Sequence, residues 1–236
     1  MLNINTKFSL KKSTLAAEYG ESRKPKSSFP KKLVTHLCKK YQLGGKLVDI
    51  MPGRAEHALA FQELGLDIYL VDISPEAAEV IENRDERLSI CDLNSEDLPY
   101  NDNSFDVVFC KSAIEHVYPD HFIPEMYRIL KPGGKIIILT PDWYYCYRIH
   151  YQDHTHSYGC PWMKRSMQLI LETHNFRNIH VENFYYLPFT WKYNWLKIFC
   201  MFIRFFPYPF LDNYSNPIWK LIRWSNEVQV LGYAVK

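Results

Sequence analysis

From residue 46 to residue 140, short apolar runs rich in β-branched residues alternate with stretches of helical period, and this alternation restricts the fold more than any other feature. Strands are expected at 46–51, 67–72, 87–91, 106–111 and 135–140, with helices at 54–64, 75–83 and 119–130 between them. A strand, a helix and another strand in that order form a parallel unit, whose sheet is covered on both faces and offers its carboxyl ends to ligands. A helix at 162–174, a strand at 178–185 and a closing strand in "EVQVLGYAVK" bring the expected strands to seven. The fold class is therefore α/β: a doubly wound, mostly parallel seven-stranded sheet with an aromatic helical insertion before the last strand.

Four segments follow from the same pattern. Residues 1–45 are a polar, lysine-bearing lead-in whose helix, "KKLVTHLCKKYQL", sets Leu33, Leu37 and Tyr41 on one face. Residues 46–186 are the core, 187–226 the aromatic insertion, and 227–236 the final core strand. The 236 residues with 47% hydrophobic content suffice for one domain with a full core. A formal net charge of +2 supplies no field for a polyanion, so nucleic acid is not an expected partner. Six cysteines without a C-x-x-C pair read as free thiols in a reducing compartment, which makes the cytoplasm the expected location. The amino-terminal residues lack the apolar stretch and cleavage site of a secretory leader.

The candidate site begins at the turn after the first strand, "DIMPGRA", Asp49 to Ala55. Backbone N–H groups at such a strand-to-helix turn offer donors to a ligand, and small residues let it approach. Asp72, about 20 residues on at the end of the second strand, is placed to accept ribose hydroxyls. Asp92, at the end of the third, can accept an exocyclic amine, with the Leu93 N–H serving a ring nitrogen. Turn, ribose acceptor and base acceptor in order make a nucleoside site; one glycine alone also fits a tight turn with no ligand.

The run "LVDIMPG…YLVDIS…CDLNSEDLPYNDNSFDVVFCKSAIEHVYPDHFIPEMYRILKPGGKIIILTP" resembles the class I methyltransferases that use S-adenosylmethionine, over residues 46–141. The resemblance implies a Rossmann-like fold with S-adenosyl-L-methionine as cofactor, and places Asp49, Met51, Gly53, Asp72, Ile73, Asp92, Leu93 and Lys111 at cofactor-contacting positions, with Ser112 beside Lys111. The turn departs from the family's D-x-G-x-G-x-G pattern: Met51 and Ala55 stand where glycines are common. Two readings stay open there, a working methyltransferase and a noncatalytic protein of the same fold acting as a scaffold. A nicotinamide dehydrogenase shares the turn and ribose acid, but the "LKPGG" bend and the missing second half count against it.

Methyl transfer to a hydroxyl needs a base. His116, in "SAIEHV", is one candidate, and His154 oriented by Asp153, in "HYQDHTHSYGC", is the other. Histidines two apart in a loop do not match common zinc spacings, so no metal is expected. The "DHTH" segment with the later "HNF" also resembles, less specifically, methyltransferases of sugar and polysaccharide biosynthesis, which implies a small-molecule, sugar or lipid-linked glycan acceptor. Residues 191–206 are compatible with one helix, with Lys197 and Arg204 on a common stripe, and a second aromatic and basic helix surrounds 219–224. No window spans a bilayer. The aromatic excess over 191–224 leaves open a lid, a homodimer face or peripheral contact with the inner face of a membrane.

Overall fold

The computed structural model describes residues 28–78, 80–146, 161–204 and 217–236. Helix α1, Phe29–Tyr41, opens with a proline near its start, where a missing N–H costs nothing. It buries Leu33, Val34, Leu37 and Tyr41 along one stripe. Gln42, left-handed at φ 51°, closes it. Then come β1, Lys46–Ile50; α2, Glu56–Glu63; β2, Asp67–Asp72; β3, Leu88–Ile90; β4, Phe105–Lys111; α3, Pro119–Ile129; and β5, Leu130–Pro141. Short 3₁₀ turns cover Arg84–Glu86 and Ile114–His116. After β5 stand α4, Trp143–Cys146; α5, Lys164–Thr173; β6, Arg177–Tyr185; α6, Pro188–Lys192; α7, Leu196–Ile203; α8, Pro217–Asn226; and β7, Val228–Val235.

The strands form one seven-stranded sheet in the order β3-β2-β1-β4-β5-β7-β6. β1 to β5 pair in parallel, and β7 runs antiparallel between β5 and β6. Because successive side chains point to opposite faces, each central strand feeds two cores. Val108, Cys110, Ile136 and Ile138 pack with Phe122, Met126, Met167 and Leu171 of α3 and α5. Val107, Phe109, Ile137 and Leu139 pack with Leu33, Leu37 and Phe61 of α1 and α2. Close approach to α5 requires Gly232 in β7, since a Cβ there meets the Met167 Cγ at 2.9 Å. Strand order reverses between β1 and β4, so the crevice for a ligand opens above those two strand ends.

Two expected helices differ. No α-helix forms among the described residues of 75–83, because Ala78 at φ 62° and Asn83 at φ 55° are left-handed. The Ala78 N–H leaves the local chain and donates to the Gly53 carbonyl at 2.7 Å, so the segment closes over the turn. The single helix expected over 191–206 is two, α6 and α7, broken where Tyr193 turns extended at φ −125° and ψ 91°. Arg204, the helical C-cap of α7, turns toward the protein. Its guanidinium lies 4.1 Å over the Tyr145 ring, and its Nε donates to the Ser225 carbonyl at 3.0 Å. Among the described residues no helix is long and apolar enough to cross a membrane.

Candidate active site

The turn after β1 keeps the backbone shape of a glycine-rich loop with one glycine. Met51 at φ 53°, Gly53 at φ 54° and Ala55 at φ 60° are all left-handed. For a residue with a Cβ that conformation costs about 1 kcal/mol or more, so tertiary bonds must hold it. They are present. The Met51 N–H donates to the Val71 carbonyl at 2.8 Å, extending the β1 to β2 pairing one residue past the strand. The Ala55 N–H donates to the Pro52 carbonyl at 2.8 Å. Asp72, 4% exposed, accepts the Gly53 N–H at 3.4 Å and the Ser74 N–H at 2.9 Å, so it pins both sides of the turn. Burial raises its carboxyl above the usual range, with the backbone donors at Ser74, Gly53 and Ile73 opposing. Ile73 beside it is half-buried.

Asp49, near the end of β1, is 3% exposed. Burial pushes its carboxyl well above the usual carboxylate range; Lys111 opposes that push and Asp72 adds to it. Lys111, at the end of β4, lies with its Nζ 3.3 Å from the Ser112 Oγ and 5.5 Å from the centre of the Tyr186 ring. Burial acts against its charge, but Tyr186, Glu115 and Asp49 together hold its pKa above the ordinary lysine value. Glu115 is buried and accepts the Thr140 hydroxyl at 2.8 Å.

Two imidazole nitrogens in this region, His57 Nε2 on α2 and His116 Nδ1, are buried with no hydrogen-bond partner among the described residues. Burial, and then Lys111, hold His57 well below its ordinary pKa, so it stays neutral. A buried polar atom without a partner costs about 1–3 kcal/mol, and a bound polar ligand removes that cost. His116 sits in the 3₁₀ turn after β4, and its carbonyl accepts the Asn94 amide at 3.4 Å. Asn94 also accepts the Tyr118 N–H at 3.0 Å, tying the loop after β3 to the turn after β4. Asp92, half-buried, accepts the Asn94 N–H at 3.1 Å, and Leu93 is buried beside it.

The structure thus gathers Asp49, Met51, Gly53, Asp72 and Lys111 at neighbouring strand ends, with Ile73, Asp92, Leu93 and His116 in the loops that continue them. Asp153 and His154 lie outside the described residues. His57, Glu115 and Tyr186 were not legible as site residues. Of these only Glu115 had a signal, its place in the "EH" pair, since His57 sits in an ordinary helical period and Tyr186 reaches Lys111 from 75 residues away. Among the described residues, no group of three or more His, Cys, Asp or Glu could hold a metal ion. The donors and acceptors present fit S-adenosylmethionine: Asp49 offers a buried carboxylate to an ammonium, and Asp72 retains lone pairs for hydroxyls.

A sheet of this order, with its seventh strand antiparallel and a ligand crevice above β1 and β4, defines the Rossmann-like fold of class I methyltransferases. Residues 48–138 match the sequence model described as "Methyltransferase domain". The demethylmenaquinone methyltransferase of Clavibacter sepedonicus is 31% identical over 99 residues, covering 40% of this chain and 40% of that protein. The chain therefore matches about two fifths of the length of such curated relatives. A SAM-dependent methyltransferase from Archaeoglobus fulgidus superposes with a TM-score of 0.60 at 20% identity, over 87% of this chain and 94% of that one. The Haemonchus contortus phosphoethanolamine N-methyltransferase 2, solved with S-adenosyl-L-methionine, gives 0.55 at 22% identity, over 86% and 52%. At those identities the two structures speak to the fold.

Proposed function

We propose that the protein is an S-adenosylmethionine-dependent methyltransferase acting on the hydroxyl of a small-molecule, sugar or lipid-linked glycan acceptor. The observation that carries the reading is the buried Asp49 carboxylate beside a left-handed turn pinned by Asp72. In this reading Asp49 holds the cofactor's ammonium, and the backbone at Met51 and Gly53 lies along its middle. Asp72 and Ile73 hold the ribose, Asp92 and Leu93 the base. Lys111, fixed by Glu115 and Tyr186, sets the charge at the methionyl end.

When bound, the cofactor supplies an electrophilic methyl on a sulfonium, displaced in line. The chain's own task is to align the acceptor and take its proton. His116 is the proposed base within the described residues, with Asp153 and His154 as the rival pair. Its partnerless Nδ1 is the nitrogen available for that proton.

Calorimetric titration with S-adenosylmethionine and its demethylated product tests the reading. Saturable binding by the wild type, lost in Asp72→Ala, is expected. A folded wild type that binds neither ligand would sink it and return the chain to the scaffold reading. Acceptor assays should set hydroxyl compounds beside demethylmenaquinone, for which the Clavibacter relative is named.

A further inference from the structure

Helix α7 reverses the pattern of a surface helix. Its inward side buries Cys200 and Ile203. Its outward side carries Ile198, Phe199, Met201 and Phe202, and Trp195 at its start is 67% exposed. Phe202 is 65% exposed and Ile198 58%. A water-facing helix places charged and polar groups there, so this face is completed by an apolar phase outside the chain's described residues.

Along the sequence the charges around α7 are basic, and in space Glu182 faces Lys40 and Lys197. No aspartate or glutamate occurs between Glu182 and Asp212, while Lys192 and Lys197 flank the apolar residues. Lys192 rests its Nζ 5.1 Å from the Tyr193 ring, the arrangement of an amphipathic side chain whose stem lies on apolar surface. Next to α6 runs α1, joined to it through Trp191, whose ring centre is 5.9 Å from that of Phe29 and 5.0 Å from that of His36. No acid occurs between Glu21 and Asp49 either. Helix α1 contributes Lys31, Lys32, Lys39 and Lys40; Lys31 pairs with Glu63 and Lys40 with Glu182, and Lys32 and Lys39 are exposed.

We propose that α6 and α7 form a membrane-docking surface that lies in the interface of an anionic bilayer. Aromatic residues at the headgroup level, apolar side chains below them and lysines beside them match the chemistry of such an interface. The helix is too short to cross the bilayer, and Arg204, held by Tyr145 and Ser225, keeps its inner side on the protein. Its test reads lipid binding and no methyl transfer.

The full chain should be floated with vesicles of phosphatidylcholine alone and of phosphatidylcholine with about 30% phosphatidylglycerol. We expect at least about fivefold more protein on the anionic vesicles, a preference that shrinks in high salt. The double variant Phe199→Ser with Phe202→Ser is expected to lose about tenfold in partitioning to both. Lys192→Glu with Lys197→Glu should lose only the anionic preference. Circular dichroism of each variant reports whether it folds, and because the replaced side chains are exposed or half-buried no loss of structure is expected. A wild type that stays in solution with both vesicle types overturns the proposal. So does a dimer in analytical ultracentrifugation that the double serine variant dissolves, which would make a second copy the occupant.

Discussion

At the carboxyl ends of β1, β2 and β4 the chain buries polar groups; on α6 and α7 it exposes apolar ones. Either departure is costly when nothing outside completes it. Asp49 is 3% exposed, and His57 and His116 each bury one imidazole nitrogen with no hydrogen bond from any described residue. Ile198 and Phe202 sit where water reaches them and finds nothing to bond. The first place fits a small polar cation-bearing ligand and the second an apolar phase. The comparison teaches that both surfaces are read from side chains in the wrong solvent, even though neither changes the chain's overall composition.

The largest effect expected from breaking the polar half is on cofactor affinity. Asp72→Ala removes the proposed hydroxyl acceptor together with the acceptor of the Gly53 and Ser74 N–H groups, and binding should fall by about 100-fold or more in calorimetry, the equivalent of two charge-assisted hydrogen bonds. An unchanged affinity would detach Asp72 from the ligand and leave it as a structural pin. The next effect sharpens the contrast with a charge network that the protein completes by itself. Arg128 donates to Glu125 at 2.7 Å, to the Tyr100 and Leu98 carbonyls at 2.8 and 3.0 Å, and to Asp102 at 2.8 Å. The Arg128 hydrogen bonds hold Glu125 below the usual glutamate range against a smaller push from burial. Arg128→Ala should lower stability by about 2–3 kcal/mol in urea titration and leave cofactor affinity unchanged. Glu125 stabilises the fold above its unfolded pKa and loses that contribution as pH falls through its lowered folded value, so the variant should also lose part of the wild type's acid-side slope.

A smaller effect concerns pH. Because burial raises the Asp49 pKa, the folded state holds that proton more tightly than the unfolded chain. Its contribution to folding stability therefore falls as pH rises between the unfolded and folded values, while its capacity to bind a cation grows over the same interval. Affinity for S-adenosylmethionine should rise with pH above the ordinary carboxylate range, and Asp49→Asn should flatten that rise and bind about tenfold more weakly. Equal slopes in wild type and variant would remove Asp49 from the ligand. The smallest effect is on the turn. Ala55→Gly relieves a left-handed φ of 60° and should stabilise the protein by up to about 1 kcal/mol in thermal melting, since the added freedom of the unfolded chain offsets part of the gain.

Much of the sheet was legible because the strands carry their own period. Asp67–Asp72 is observed with the expected bounds, and β4 and β5 differ mainly at their ends. The helix expected at 75–83 was not legible as a loop, because the bond that opens it runs from Ala78 to Gly53, 25 residues earlier, and no local pattern reports it. The acids Asp49, Asp72 and Asp92 could be picked out from their places at strand ends. The environment that shifts the first two could not, since it depends on Lys111 and on burial by segments distant in the chain. The aromatic excess after residue 184 was visible as composition, but whether it faced inward required the placement of Cys200 and Ile203 against the protein and of Phe199 and Phe202 away from it.

The position of β7 has a consequence for the order in which the molecule can assemble. Among the described residues β6 pairs with no strand except β7, and β7 follows it only after α6, α7 and α8. During synthesis β1 to β5 can zip together as they emerge, each beside a neighbour already made, whereas β6 must wait for β7 to insert between it and β5. Throughout that wait the apolar face of α7 is already present on the nascent chain. The proposed docking surface is thus exposed before the sheet is closed.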